Sequence, residues 1–236
     1  MKKRTIALLM AVVMLFGATV GTTIAWLTSL SATVTNTMTV GDVKITLDEA
    51  DVNREVANSD GSKTIIYDEY VNSNNSHVDS IGDAARVTAN EYKLYPGKEY
   101  DKDPTVHIDD ASENCFVFVK VVNGIKEIET ANNTVLSDGT TYVSIEKQME
   151  DNGWIPVAEG SNVYYYAGAE KETDGSVAAS KDLVVFENFA IKTDVDGATL
   201  STYKNATITI KAYAIQAEGF EDALDAWANA PTDWED

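Results

Sequence analysis

The chain has 236 residues, with 38 Asp and Glu against 18 Lys and Arg, a net charge of −20 and a single cysteine, Cys115. That balance excludes a nucleic-acid binder, which works by neutralising phosphates, and adhesion to anionic lipid by charge; it favours attraction to cations and basic surfaces. One cysteine excludes an intramolecular disulfide, so stability must come from the core.

Residues 1–25 have the layout of a secretory signal peptide. Lys2, Lys3 and Arg4 form the positive region, and residues 6–16 are an unbroken apolar run. Gly17, Ala18 and Gly21 loosen the next stretch, and Thr23-Ile24-Ala25 sets small residues at −3 and −1 of a cut between Ala25 and Trp26. The competing reading is a retained anchor, since residues 5–27 carry no charge and would just span about 30 Å of hydrocarbon. The short apolar core and the cut site favour cleavage. Removing three positive and no negative residues takes the net charge from −20 to −23. Export without disulfides points to a bacterium, with the product secreted to the matrix or cell surface and membrane contact only before cleavage.

Residues 26–40 read as an extended segment. Trp26, Leu27, Leu30, Val34, Met38 and Val40 make it apolar, while Ser29, Ser31, Thr33, Thr35, Asn36 and Thr37 keep it soluble and helix-poor. Two uses remain open: a donor strand that adds to an exposed edge of another chain, or the first strand of its own domain.

Residues 41–236 form one domain dominated by period-two alternation. Strands are predicted at 39–47, 64–70, 86–95, 115–122, 140–146, 162–166, 183–191 and 206–215, each rich in Val, Ile, Thr, Tyr or Phe. Turn signals such as Pro96-Gly97, Asn123-Gly124 and Asp196-Gly197 separate them. Residues 53–83 are the most polar stretch and read as a long exposed hairpin or loop. In residues 218–230, Phe220, Leu224 and Trp227 recur at helical spacing before Pro231. The fold expected is all-β: a jelly-roll-like antiparallel sandwich with a short C-terminal amphipathic helix.

Catalytic chemistry finds little support. His77 and His107 are the only histidines, thirty positions apart, and no H-E-x-x-H zinc motif exists. No G-x-S-x-G elbow occurs either. The expectation is a non-enzyme with no required cofactor. The metal candidate is calcium, which wants several oxygens, at Asp101, Asp103 and Asp109, with Asp110 and Glu113 nearby; Asp194 and Asp196 form a second acidic pair. Tyr164-Tyr165-Tyr166 is either packing or a carbohydrate patch, and alternation puts Tyr165 opposite the other two. Cys115, in an apolar run, reads as a buried hydrophobe.

Several patches together resemble the TasA/camelysin-like secreted proteins of Gram-positive bacteria. These are the Ala25-Trp26 junction with the residues up to Ile45, the turn Leu94-Tyr95-Pro96-Gly97-Lys98 with Asp103-Pro104-Thr105-Val106, and the end Ala212 to Phe220 with Ala226-Trp227. The resemblance implies a jelly roll, an atypical signal cut by a dedicated signal peptidase, and a structural role in the biofilm matrix. It also implies polymerisation into fibres, in which the freed N-terminal strand completes the sheet of the next subunit. The implied partners are therefore other copies of the chain, or matrix proteins. Some relatives have been described as metallopeptidases, but the ligand set for that chemistry is missing here. The rival reading is a monomeric surface module that binds polysaccharide or a host protein.

Overall fold

A computed structural model describes residues 42–168 and 174–231. The signal peptide, its Ala25/Trp26 junction and the segment carrying Trp26, Leu27, Leu30, Val34, Met38 and Val40 lie outside the described residues. In chain order the strands are β1 (Ile45–Ala50), β2 (Asn53–Ala57), β3 (Lys63–Tyr67), β4 (Arg86–Val87), β5 (Glu99–Asp101), β6 (Thr105–Ile108), β7 (Cys115–Asn123), β8 (Thr134–Val135) and β9 (Thr141–Tyr142). They continue with β10 (Trp154–Pro156), β11 (Val163–Tyr166), β12 (Lys181–Val184), β13 (Asn188–Ala190) and β14 (Ile208–Gln216). The α-helices are α1 (Ile145–Asp151), α2 (Gly197–Thr202) and α3 (Ala223–Ala228). The architecture is the all-β sandwich expected.

Two four-stranded antiparallel sheets, ordered β12–β6–β1–β4 and β10–β11–β7–β14, provide the two layers. Their inner faces meet in the main core. The first contributes Val106, Ile108 and Leu183, and the second Val117, Val119, Val121 and Trp154. Strand β7 is central and buried on both sides, which explains its unbroken apolar run Cys115-Phe116-Val117-Phe118-Val119. Its odd-numbered residues face the other sheet, while Phe116 and Phe118 face outward into a second core.

Helix α3 closes that outer core. Asp222 caps it by accepting the Asp225 N–H at 2.8 Å. Ala223 and Ala226 are buried against the sheet, with Phe220 and Trp227 packed beside them. The predicted face of Phe220, Leu224 and Trp227 is therefore out of phase. Phe220 precedes the helix, which starts only after Asp222, and Leu224 is exposed.

Other boundaries also move. Residues 140–146 are not one strand: Thr141 and Tyr142 pair with β8, and the chain then turns into α1. The buried residues of α1 are Ile145, Gln148 and Met149, a helical spacing that short-range alternation hid. Of residues 86–95 only Arg86 and Val87 join a ladder. Further on, the Asn90 side chain replaces strand pairing, donating to the Ala50 carbonyl at 2.8 Å and accepting from the Val52 N–H at 3.0 Å. Residues 183–191 divide between two sheets, with buried Val185 and Phe186 at the crossing. Asp196-Gly197 is a helix start rather than a turn, because the Asp196 carboxylate accepts the Thr199 N–H at 2.7 Å.

Candidate functional site

The calcium expectation at Asp101, Asp103 and Asp109 is not met. Asp103 already uses both oxygens, accepting the Ala50 N–H at 2.7 Å and Arg86 Nη1 at 2.5 Å. Asp101 accepts the Tyr70 hydroxyl at 2.8 Å, and Asp109 accepts the Ala111 N–H within its own turn. Extended strand, rising about 3.3 Å per residue, keeps Asp103 and Asp109 at opposite ends of β6. Among the described residues, no group of three or more His, Cys, Asp or Glu is arranged to hold a metal ion.

The other singled-out residues have structural partners. His77 lies 3.2 Å from Asp79 at the surface. His107 bridges Asp48 and Asp182 on the outer face of the first sheet. Tyr164 and Tyr166 pack on the main core and Tyr165 on the outer one, as alternation requires, so the triplet is packing. Cys115 is buried, and burial pushes its thiol up to about 11, which leaves it unreactive at neutral pH.

The feature that stands out is an edge. A strand paired on one side presents unpaired N–H and C=O groups on the other, so outer strands are normally short or guarded by charge. Three of the four outer strands follow that rule. β4 has two residues, β10 has three and ends in Pro156, and β12 has four and exposes Lys181 and Asp182. β14 does not. It runs nine residues, Ile-Thr-Ile-Lys-Ala-Tyr-Ala-Ile-Gln, with Lys211 its single charge. It pairs with β7 throughout, from Ile208↔Asn123 to Gln216↔Cys115, and no strand among the described residues pairs with its other side.

The core beside that edge is incompletely covered. Ile208, Ile210, Ala212 and Ala214 face the main core, yet each is only partly buried. Opposite them on β7, Val117 and Val119 are fully buried. Across the side of the sandwich, β1 is in the same condition. It pairs with β6 over Ile45–Asp48 but with β4 only at Glu49 and Ala50, and Ile45 and Leu47 are partly buried. β1 and β14 approach one another in different sheets and share no ladder. Among the described residues, this flank carries partly buried apolar side chains and strand edges that join no further ladder.

Sequence reasoning found β14 as a strand but not as an edge. The available signal was the combination of length, a single charge and no proline within residues 208–216. No protein-family model, curated protein or solved structure matches this chain.

Proposed function

We propose that this chain is an exported structural subunit of an extracellular matrix, and that it self-associates by strand addition. Residues 26–40 of one copy pair along β14 of the next. The supporting observation is a match between two patterns. In an extended chain, Trp26, Leu30, Ala32, Val34, Met38 and Val40 fall on one face, with Thr28 and Asn36 among them, and Ser29, Ser31, Thr33, Thr35, Thr37 and Thr39 on the other, together with Leu27. Such a strand suits an edge beside a core, and β14 offers one: Ile208, Ile210, Ala212 and Ala214 face the main core, while on the other face Thr209 is exposed and Tyr213 and Ile215 pack on the outer core. Main-chain hydrogen bonds supply affinity and the alternate side chains supply register. Export and assembly are then one event, because cleavage after Ala25 frees the strand.

The test compares protein beginning at Trp26 with protein beginning at Gly41 by electron microscopy and sedimentation. Filaments from the first and monomers from the second are the expected result. Monomers from both at high concentration, in low and in raised salt, would remove the proposal. A concentration-independent monomer whose β14 is protected would mean that the segment completes its own domain.

A further inference from the structure

Helix α3 covers one part of the outer face of the second sheet. It sits over Phe116 and Phe118 of β7, with the Trp227 ring 5.4 Å from Phe118, which pairs with Tyr213 across the ladder. The next row on the same face is Lys120 opposite Lys211, and the row after that is Val122 opposite Thr209. Val122 is 46 % exposed, and Thr209 beside it is exposed.

Lysine opposite lysine needs an account in a chain with 38 acidic and 18 basic residues. Directly opposite residues of an antiparallel pair have Cβ atoms about 5 Å apart, and like charges there repel. Lys211 is also the single charge of β14, and it has no ion-pair partner among the described residues. An anion laid over the pair turns this repulsion into attraction.

Such an anion leaves α3 one row away. Ala228 ends the helix, Pro231 cannot continue it, and residues 232–236, which lie outside the described residues, read Thr-Asp-Trp-Glu-Asp. Trp227, in the last turn, lies against the Phe118 row, and two residues of strand advance about 7 Å to the lysines. Five residues span up to about 17 Å, enough to reach them. We propose that residues 232–236 dock on the outer face of their own chain, with the Asp233 and Glu235 carboxylates on Lys120 and Lys211. In an extended segment those two acids fall on one side about 7 Å apart, a spacing that flexible lysine side chains meet. The tether favours the chain's own segment over that of a second copy, because it sets a high effective concentration. The contact is independent of strand addition, which uses the backbone edge of β14 rather than this face.

The experiment measures acetylation rates of individual lysines by mass spectrometry, on protein beginning at Gly41, which holds both cores. Chains with and without residues 232–236 are compared, and exposed Lys63 and Lys204 serve as controls. Deletion should speed acetylation of Lys120 and Lys211 roughly two- to fivefold, the range of a surface ion pair, and leave the controls unchanged. The difference should shrink in 1 M salt, where charges are screened within about 3 Å. An unchanged rate at Lys211 overturns the proposal. Protection of Lys211 that grows with protein concentration also overturns it, because the segment would then sit on another copy. So does protection that only an added anionic polysaccharide supplies, since the anion would then come from outside. If the deletion lowers the melting midpoint substantially, Asp233→Asn/Glu235→Gln/Asp236→Asn in the same protein replaces it, and the same outcomes apply.

Discussion

His107 and Asp182 face each other across the β6–β12 pair, with Nδ1 2.6 Å from the Asp182 carboxylate; Nε2 of the same ring lies 2.9 Å from Asp48 on β1. One imidazole therefore ties three strands, and with both nitrogens donating it is a cation between two anions. Arg86 shares Asp48 at 2.7 Å and holds Asp103 from the far side. Burial by itself lowers the His107 pKa, but the bonds to Asp182 and Asp48 outweigh it and the net shift is upward.

A group whose pKa is raised by folding stabilises the fold fully below its unfolded value, about 6.5 for histidine. That contribution is lost as pH rises through the raised folded value. The melting midpoint of the wild type should therefore exceed that of His107→Gln at pH 5.5, and the gap should narrow steadily toward pH 9. A gap that is constant with pH contradicts the tie. On the acid side the sign reverses. Hydrogen bonds from Ser62, Thr140, Ser176 and Thr199 lower the pKa of Asp60, Asp138, Asp174 and Asp196, so their contribution falls away as pH drops through the depressed values.

Lys102 and Glu49 form a buried ion pair beneath Tyr92, whose ring lies 5.8 Å from the ammonium. Removing one partner leaves the other charge buried and unpaired. Lys102→Met should cost about 3–5 kcal/mol, measurable by denaturant unfolding. Lys102→Met with Glu49→Leu should recover most of that loss, since no unpaired charge remains. Equal losses in the single and double variants would contradict this account of the pair.

Gly124 and Gly197 both sit in turn-like dipeptides, yet their surroundings differ. A Cβ on Gly124 would lie 2.5 Å from the Thr207 carbonyl oxygen, which also accepts the Gly124 N–H, just beyond the Ile208–Asn123 end of the β7–β14 ladder. A Cβ on Gly197 meets nothing within 4 Å at the start of α2. Gly124→Ala should destabilise by roughly 1–3 kcal/mol through overpacking. Gly197→Ala should be neutral or stabilising by up to about 1 kcal/mol, as expected for a helical position.

Charge should govern assembly rate. Each copy beginning at Trp26 carries a net charge of −23, so like-charged subunits repel until salt screens them. Filament growth followed by light scattering should accelerate between roughly 0.01 M and 0.15 M salt, as the screening length falls from about 30 Å to about 8 Å. Faster growth at the lower salt would contradict strand addition between repelling bodies.

β1 was legible from alternation, because only one of its faces meets the core, while β7 was legible from its unbroken run of β-branched and aromatic residues, as expected of a strand buried on both faces. Three kinds of feature were not. Helix α1 comes after a two-residue strand without a break, so Tyr142, Ser144 and Glu146 alternate with Val143 and Ile145 as a strand would. The phase of α3 depends on where Asp222 caps it, which spacing alone does not reveal. Acidic turns read as calcium ligands, whereas their oxygens are spent on backbone N–H groups and Arg86. The open flank was legible least of all, because an edge is defined by the strand that is not beside it.

The most direct test is hydrogen exchange of protein beginning at Gly41, with and without a synthetic peptide of residues 26–40. Strand addition predicts that amides of Ile208–Gln216 become strongly protected when the peptide binds, with little change at β12 or β10. A bound peptide that leaves β14 exchange unchanged, or no binding at millimolar peptide, would contradict it.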